Sequence, residues 1–176
     1  FGSSSEYGIK AAPMNENDQA MPVTPYGISK LTQTKFAKFY SKNMNLPIVT
    51  LRLFSIFGPF EEPGRLVFDI MTSVIKGKTI ELSSPFPRRD YVYVGDVIDA
   101  IETVTNAKNI VGEIFNIGSG VMHSVEDVVN NVLEIAKSHN KVLWEAKQKR
   151  VFDNVSPWVS DTQKTKKNLK WEPKYS

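Results

Sequence analysis

Segments with two different hydrophobic spacings alternate along this chain. Residues 47–57 (PIVTLRLFSIF) are β-branched and aromatic with a single charge, as expected of a strand covered on both faces. Residues 89–94 (RDYVYV) alternate polar and apolar side chains, and 113–120 (EIFNIGSG) run into a glycine turn. We predict a strand in each of these segments and a shorter one at 79–82 (TIEL).

Five segments carry the periodicity and end signals of helices. The first begins at Thr24 and Pro25, because threonine caps helix N termini and proline is tolerated at the first helical position. The other predicted helices are 65–78 closed by Gly77, 97–107 capped by Asp96, 125–137 capped by Ser124 with Asp127, and 161–169. Apolar faces are predicted at Phe36, Ala37, Phe39 and Tyr40 in the first helix, and at Val125, Val128, Val129, Val132, Leu133 and Ala136 in the fourth.

The order of these elements indicates the fold class. The first helix followed by the strand at 47–57 forms the second half of a βαβ unit. Strands that alternate with helices favour an α/β fold, whose sheet we expect to be parallel at first and more mixed later.

Composition excludes several kinds of site. With 176 residues, 41% hydrophobic and 23% charged, the chain is typical of a soluble globular protein. It has no cysteine, so disulfides and thiolate metal sites are excluded and an intracellular location is favoured. His123 and His139 are too few and too isolated for a zinc site, and we expect no metal. No apolar run approaches the roughly 18 residues of a membrane helix, so we expect no membrane partner.

Positive charge is concentrated near the C-terminal end of the sequence. The basic residues of this cluster are Lys147, Lys149, Arg150, Lys164, Lys166, Lys167, Lys170 and Lys174. Such a cluster is typical of a solvated helix face, a nucleic-acid or membrane contact, or a pocket for a polyanionic small molecule. Acidic residues such as Glu145, Asp161 and Glu172 interrupt it, so we expect no nucleic-acid partner.

Two short motifs carry side chains suited to proton transfer. The loop GSSSEYG (2–8) offers three hydroxyls, and Tyr26 and Lys30 lie four residues apart on one face of the first helix. A phenol titrates near 10 in water, so a tyrosine that moves protons near neutrality needs a partly dehydrated cleft and a nearby cation. Taken alone, the pair is more typical of a surface tyrosine and a solvated lysine than of a catalytic pair.

Six ordered motifs together resemble one protein family. GSSSEYG, PYGISK, LRLFSIFGP, RRDYVYVGDV, FNIGSG and SDTQKTKKNLKWEP occur in the order and approximate spacing of extended short-chain dehydrogenase/reductases, the nucleotide-sugar epimerases and dehydratases. The resemblance covers almost the whole chain and favours the catalytic interpretation of Tyr26 and Lys30.

The resemblance implies roles for residues near these motifs. Tyr26 resembles the catalytic acid/base, and Lys30 the residue that holds the nicotinamide ribose and favours the phenolate. The hydroxyl partner is Ser3 if counted back from Tyr7 or Ser4 if the strand end is aligned, and we prefer Ser4.

Further implied contacts concern the cofactor and the substrate. Leu53 and Phe54 resemble the segment that passes beside the nicotinamide, and Ser55 the sugar contact, where many members have asparagine. Arg89 and Arg150 match positions that bind the substrate pyrophosphate, a role that suits the guanidinium fork. Arg65 is a further candidate for the substrate pocket or, equally, an exposed arginine at a helix start.

A cofactor-binding signal of the family is missing from this sequence. The glycine-rich phosphate turn and the acidic residue that follows it do not occur here. We therefore expect that roughly the first hundred residues of a full member precede this chain. Residues 1–60 would be the C-terminal part of a dinucleotide-binding Rossmann domain. Residues 61–176 would form mainly a small mixed α/β substrate lobe, with 89–120 returning partly to the Rossmann sheet.

These observations predict an NAD(P)-dependent nucleotide-sugar epimerase or dehydratase, with NAD favoured over NADP. The related 4,6-dehydratases place Asp then Glu after the hydroxyl residue, whereas this chain has Ser5 then Glu6 after Ser4, which favours epimerisation or 4-keto reduction. The alternatives are a 4-keto-sugar reductase of the same family and a catalytically inactive dinucleotide-binding regulator. The resemblance also implies a cytoplasmic homodimer that pairs through the helix carrying Tyr26 and Lys30.

Overall fold

The structure is a computed structural model that describes residues 1–10, 13–148 and 158–175. Its helices are Pro25–Met44 (α1), Leu66–Ile75 (α2), Val94–Asn106 (α3), Val125–Ile135 (α4) and Gln163–Leu169 (α5). Its strands are Gly2–Ser3 (β1), Thr50–Leu53 (β2), Ser55–Phe57 (β3), Ile80–Glu81 (β4), Arg88–Arg89 (β5), Tyr91–Tyr93 (β6), Ile114–Ile117 (β7), His123–Ser124 (β8) and Val142–Leu143 (β9). A 3₁₀ turn at Ser4–Glu6 directly follows β1.

Parallel pairing dominates the sheets. Strands β1, β2 and β7 form a parallel sheet in that order, with Ser3 opposite Leu53 and Leu53 opposite Ile117. Strand β3 pairs in parallel with β6, and β4 with β9, whereas β5 and β8 pair antiparallel. The predicted α/β class, parallel first and mixed later, is confirmed. The proposed boundary between a dinucleotide-binding part at 1–60 and a substrate lobe stays a prediction.

The predicted signals at the starts of two helices are confirmed. The Thr24 hydroxyl accepts a hydrogen bond from the Gly27 N–H (2.9 Å) at the start of α1. At the start of α4, the Ser124 hydroxyl accepts from the Asp127 N–H (3.0 Å), and the Asp127 carboxylate accepts from the Ser124 N–H (2.8 Å). These bonds satisfy donors that have no partner inside the helix, which explains why both helices begin there.

The segment 47–57 was predicted as one strand, and this is wrong. The structure divides it at Phe54, whose N–H donates to the Ile117 carbonyl (3.0 Å), while the next N–H, from Ser55, donates to the Asp90 carbonyl (3.0 Å). The chain therefore changes its pairing partner from β7 to β6 at this point. Continuous hydrophobicity cannot reveal the change because both parts of the segment are rich in apolar residues.

The predicted capping role of Asp96 is also wrong. Helix α3 begins at Val94, and Asp96 lies buried in its first turn. Its two carboxylate oxygens accept hydrogen bonds from the backbone N–H groups of Lys174 and Tyr175, each at 3.0 Å. Asp96 thus attaches the C-terminal segment to α3.

Among the described residues, three hydrophobic clusters support the sheets and helices. The largest joins β2, β7, α3 and α5, and contains Leu51, Val92, Val97, Ala100, Ile110, Phe115, Ile117, Leu169 and Trp171. The second lies between α2 and α4, where Val129 is buried and Val125, Val128, Val132 and Leu133 pack beside it, so the predicted apolar stripe of α4 is confirmed there. The third contains Tyr7, Met14 and Phe54 with Trp158 and lies behind the 3₁₀ turn.

Helix α1 has the opposite arrangement to α4. Its buried residues are Gly27, Thr34 and Ser41, all small or polar. Its aromatic residues Phe36 and Phe39 are each more than half exposed, and Tyr40 is 41% exposed. The predicted apolar face of α1 exists, but the described residues leave it uncovered.

Two kinds of feature are absent from the described ranges. None of the helices found there is long and apolar enough to cross a bilayer. Histidine, aspartate and glutamate side chains of the same residues do not gather in groups of three or more that could hold a metal ion.

Candidate active site

A cavity of about 350 Å³ opens where β1, β2 and α1 meet. We call it the serine–tyrosine cavity, and its lining residues are Phe1, Gly2, Ser3, Ser4, Ser5, Tyr26, Lys30, Leu53, Phe54, Ser55, Ile56 and Arg65. Because β1 and β2 are parallel with Ser3 opposite Leu53, the residues that follow each strand emerge at the same sheet edge. The structure thus brings Ser3, Ser4, Tyr26, Lys30, Leu53, Phe54, Ser55 and Arg65 of the predicted site to one cavity.

The two candidate hydroxyls have different surroundings. The Ser3 hydroxyl accepts a hydrogen bond from the Ser5 N–H (3.2 Å) and thereby caps the 3₁₀ turn. Among the described residues, the Ser4 hydroxyl makes no hydrogen bond, although Ser4 is only 8% exposed. The Ser4 hydroxyl can therefore bind a ligand without breaking a bond of the fold, whereas Ser3 would have to give up its cap.

Tyr26 and Lys30 lie together at the start of α1. The Lys30 ammonium nitrogen is 5.9 Å from the centre of the Tyr26 ring, and Tyr26 is 56% exposed. The same ammonium donates to the Phe1 carbonyl (3.2 Å) and to Gln33 Oε1 (3.3 Å). The bond to Phe1 connects the lysine of α1 to the residue that precedes β1, and both Tyr26 and Lys30 line the cavity.

The charge of this cavity is positive. Lys30 and Arg65 contribute cations, and its described lining contains neither aspartate nor glutamate. Such a lining favours an anionic ligand.

A second cavity, also of about 350 Å³, shares Ser55, Ile56 and Arg65 with the first. We call it the basic cavity because Arg65, Arg89 and Lys147 line it; Glu61 and Asp69 lie there as well. Each carboxylate is paired, Glu61 with Arg65 (3.5 Å) and Asp69 with Lys147 (3.2 Å). Burial raises the pKa of the Glu61 carboxyl above its ordinary value, and the neighbouring Arg65 guanidinium opposes this effect.

Arg89, predicted to bind the pyrophosphate, lies in the basic cavity. Its guanidinium carbon is 5.6 Å from the centre of the Trp158 ring, and it donates to the Arg88 carbonyl (2.8 Å). Arg150, the other predicted pyrophosphate ligand, falls outside the described residues.

The sequence pattern did not assign Lys147 to a site, although Lys147 belongs to the basic cluster. The structure places Lys147 beside Asp69 of α2, in the basic cavity. Composition signals the charge, but only the contact with α2 shows that this lysine of the cluster lines the basic cavity.

Glu6, the glutamate of the dehydratase-like pair, is absent from both cavity linings. It is fully buried, and its Oε2 forms an ion pair with Nε of Arg52 (2.9 Å). Its Oε1 accepts hydrogen bonds from the Ser3 N–H (2.9 Å) and the Thr34 hydroxyl (3.0 Å). This carboxylate therefore belongs to the framework behind the site.

Comparison with known proteins gives the following matches. A model of the family described as GDP-mannose 4,6 dehydratase matches residues 1–176. A curated relative described as an uncharacterised UDP-glucose epimerase of Bacillus subtilis is 30% identical over 172 residues, which cover 97% of this chain.

Two solved structures superpose on almost the whole chain. UDP-glucuronic acid 4-epimerase from Bacillus cereus, in complex with UDP-glucuronic acid and NAD, has a TM-score of 0.87 at 26% identity. UDP-glucose 4-epimerase from Thermotoga maritima, with UDP-glucose, has a TM-score of 0.88 at 28% identity. Each superposition covers 99% of this chain, but 55% and 57% of those chains respectively. The chain likewise spans 54% of the B. subtilis relative.

Proposed function

This chain belongs to the GDP-mannose 4,6-dehydratase family of nucleotide-sugar epimerases and dehydratases, and on that premise we propose that it catalyses hydride transfer at a sugar carbon, with Tyr26 as acid/base. The observation that carries the proposal is the shared lining of one cavity by Ser4, Tyr26 and Lys30. A hydroxyl, a phenol and an ammonium gathered in one cavity are suited to proton transfer to and from a sugar hydroxyl.

Each of the three residues has a distinct task in this mechanism. The free Ser4 hydroxyl holds the reacting sugar oxygen, and the Tyr26 phenol removes its proton as hydride leaves the same carbon. The Lys30 ammonium, 5.9 Å from the centre of the Tyr26 ring, places a positive charge beside the group that exchanges this proton. In the return step Tyr26 gives the proton back to the sugar oxygen.

The residues present fit a bound nicotinamide nucleotide. Tyr26 and Lys30 offer a hydroxyl and an ammonium to ribose hydroxyls, and Leu53 and Phe54 line the same cavity with apolar side chains suited to a ring. When bound, NAD supplies the hydride acceptor of the first step and the hydride donor of the return. The B. cereus relative, which was solved with NAD, supports NAD as the cofactor.

The basic cavity is suited to the diphosphate of the substrate. It adjoins the serine–tyrosine cavity through Ser55 and Arg65, so a sugar beside Tyr26 can have its phosphates near Arg89. Guanidinium groups pair with two phosphate oxygens at once, which favours arginine for this contact. Arg150 belongs to the same proposal, and the relatives solved with UDP-glucuronic acid and UDP-glucose support a nucleotide sugar.

The position of Glu6 supports epimerisation or 4-keto reduction over 4,6-dehydration. Dehydration of a sugar needs an acid to protonate the departing hydroxyl and a base to take the neighbouring proton. Glu6 is buried against Arg52, and the described residues that line the serine–tyrosine cavity include no carboxylate.

The test uses the full-length gene product, incubated with UDP-glucose, UDP-glucuronic acid, dTDP-glucose and GDP-mannose. Products are separated by anion-exchange chromatography and identified by proton NMR. We expect Tyr26→Phe to lower kcat by about 10²- to 10⁴-fold with little change in KM, because the variant keeps the ring but loses the proton.

The matched control is Tyr40→Phe, which makes the same change further along α1 and outside both cavities. It should keep wild-type turnover. Equal turnover by Tyr26→Phe and wild type would remove the tyrosine from the mechanism. Tight NAD binding with every sugar recovered unchanged would favour the inactive dinucleotide-binding regulator.

We further propose that the protein forms a homodimer through α1. Phe36, Phe39 and Tyr40 form an aromatic face whose rings contact one another and are otherwise largely exposed. Exposed apolar groups of this kind mark association surfaces. Light scattering of the full-length protein should give twice the mass of one chain, and Phe36→Glu with Phe39→Glu should give the mass of one chain.

A further inference from the structure

A single buried carboxylate joins the three elements that line the serine–tyrosine cavity. Glu6 in the 3₁₀ turn accepts from the Ser3 N–H, the Thr34 hydroxyl of α1 and Nε of Arg52 in β2, at 2.9, 3.0 and 2.9 Å. Glu6, Arg52 and Thr34 are 0%, 3% and 4% exposed. Water is therefore excluded from these bonds, and a group that loses one of them has no ready substitute.

Each partner of Glu6 belongs to an element or turn that also positions a residue of the proposed site. Ser3 precedes Ser4, and Arg52 precedes Leu53, which lines the cavity. Thr34 follows Tyr26 and Lys30 on α1 at successive steps of four residues, which places all three on one face of the helix. The bond from Thr34 to Glu6 therefore connects the helix face that carries the phenol to the turn that carries the serine.

A second close contact lies beside Tyr26. A Cβ added to Gly27 would stand 2.5 Å from the Ser5 carbonyl oxygen, so α1 approaches the 3₁₀ turn as closely as a glycine allows. Together with the bond from Thr34 to Glu6, this contact fixes α1 against the turn at two points along the helix.

We propose that Glu6 is a positioning residue, which sets the spacing between the Ser4 hydroxyl and the Tyr26 phenol through its bonds to Ser3 and Thr34. The inference rests on the proposed function, in which both groups must reach the same sugar oxygen. Effective proton and hydride transfer depends on such alignment, and a misplacement of about 1 Å costs up to about 10²-fold in rate. Glu6 acts on the reaction only through this spacing, since it does not line the cavity.

The experiment compares two threonine-to-valine substitutions in the full-length protein. Thr34→Val removes the hydroxyl that reaches Glu6. Thr165→Val is the control: its fully buried hydroxyl donates to the Asn116 carbonyl (2.7 Å), and Thr165 lines neither cavity. Each variant loses one buried hydrogen bond and should lose similar thermal stability.

The two variants should differ in catalysis. We expect Thr34→Val to lower kcat about tenfold with KM within twofold of wild type, and Thr165→Val to leave both unchanged. Thr34→Ser, which retains a hydroxyl, should restore most of the turnover. Equal kcat in Thr34→Val and Thr165→Val, or a Thr34→Ser variant as slow as Thr34→Val, would overturn the proposal.

Crystal structures of the same variants provide a measurement that needs no activity. The distance between Ser4 Oγ and Tyr26 Oη should change in Thr34→Val and remain at the wild-type value in Thr165→Val. An unchanged distance in Thr34→Val overturns the positioning role, whatever the kinetics. If the wild-type protein turns over no nucleotide sugar, the proposed function fails, but the measured distance still decides the role of Glu6.

Discussion

Tyr7 and Tyr26 are the same residue type in opposite surroundings. Tyr7 is fully buried, its hydroxyl donates to Asn116 Oδ1 (2.7 Å), and the Arg52 guanidinium lies 4.5 Å from its ring centre. Tyr26 is more than half exposed at the edge of a positively charged cavity. Burial raises the pKa of Tyr7 to about 12, with Arg52 opposing this effect, so Tyr7 keeps its proton and serves the fold.

The raised pKa of Tyr7 predicts a loss of stability at alkaline pH. In the unfolded chain this phenol ionises near 10, whereas in the folded protein it ionises near 12. The contribution of Tyr7 to the free energy of unfolding is therefore fully present below pH 10. It is lost as the pH rises toward 12, which lowers the free energy of unfolding by about 2 to 3 kcal/mol. Urea unfolding at a series of pH values should show this decline in wild type.

The Tyr7→Phe variant lacks this phenol, so its free energy of unfolding should fall less steeply with rising pH than that of wild type. It should also be less stable than wild type near neutrality, because Asn116 loses a buried hydrogen-bond donor. Tyr175→Phe, at a tyrosine that is 60% exposed, is the control and should follow the wild-type curve. Parallel curves for wild type and Tyr7→Phe between pH 9 and 12 would contradict the prediction.

At the scale of elements, the start of α1 is shaped by the turn beside it. Gly27 lies in the first turn of α1, and an added Cβ would meet the Ser5 carbonyl oxygen at 2.5 Å and Pro22 Cβ at 2.9 Å. Glycine has poor helix propensity, but its lack of a side chain allows the helix to pack closely against the 3₁₀ turn. The loop that supplies Ser4 and the helix that supplies Tyr26 thus pack as one unit.

This contact reverses the usual effect of a glycine-to-alanine change. Helix propensity alone predicts that Gly27→Ala stabilises the protein by up to about 1 kcal/mol. Because a backbone carbonyl blocks the added methyl group, we expect Gly27→Ala to destabilise the protein by about 1 to 3 kcal/mol and to lower kcat. Ser29→Ala, at an exposed position of the same helix, should change stability by less than about 0.5 kcal/mol. Thermal unfolding of wild type and both variants measures these effects. A melting temperature of Gly27→Ala at or above that of wild type would contradict the predicted destabilisation.

At the scale of the whole molecule, distant segments meet at buried acidic side chains. Asp90, which is fully buried, accepts from the N–H and hydroxyl groups of Ser119 (2.6 and 2.7 Å) and from the Gly120 N–H (3.1 Å). It also accepts from the N–H (2.9 Å) and hydroxyl of Ser160. Asp90 lies between β5 and β6. Its carboxylate therefore joins these two strands to the glycine turn after β7 and to the segment that begins at Trp158.

We expect Asp90→Asn to destabilise the protein strongly. An amide nitrogen in place of a carboxylate oxygen would face N–H and hydroxyl donors, which leaves buried groups unpaired at a cost of about 2 to 4 kcal/mol. Asp99→Asn, at a partly exposed carboxylate paired with Lys174, should cost less than about 1 kcal/mol. Denaturant unfolding of both variants measures the difference, and equal losses would show that Asp90 does not join these segments.

The basic cluster near the C-terminal end is also distributed by the tertiary structure. Lys164 pairs with Glu113 and Lys166 with Glu172, each at 2.7 Å, and Lys174 pairs with Asp99. Lys147, by contrast, lies beside Asp69 in the lining of the basic cavity. These four lysines of the cluster therefore contact separate parts of the described surface rather than one continuous stripe. The absence of a nucleic-acid partner and the cytoplasmic location stay predictions.

Short-range signals in the sequence were sufficient for several conclusions. The caps at Thr24 and Ser124, the valine stripe of α4 and the α/β order depend on residues within a few positions of one another, and the structure confirms them. The ordered motifs also identified the family, which the family model and the relatives confirm. The roles of the individual site residues stay predictions that the shared cavity supports.

Other features depended on contacts between residues far apart in the chain. Asp96 was expected to cap α3 because its nearest backbone donors are there, but the C-terminal segment supplies its partners instead. Glu6 follows a serine run in the sequence, yet its carboxylate turns inward because Arg52 and Thr34 lie behind the turn.

What this sequence determined by itself is therefore the family, the fold class, the starts of α1 and α4 and the residue types available for proton transfer, because all of these follow from local pattern and order. Only the tertiary structure decided that Ser4 rather than Ser3 keeps a free hydroxyl, that Glu6 faces inward and that Lys147 lines the basic cavity. The physical reason is that a polar side chain takes the best partner within reach after folding, and that partner is supplied by another segment of the chain.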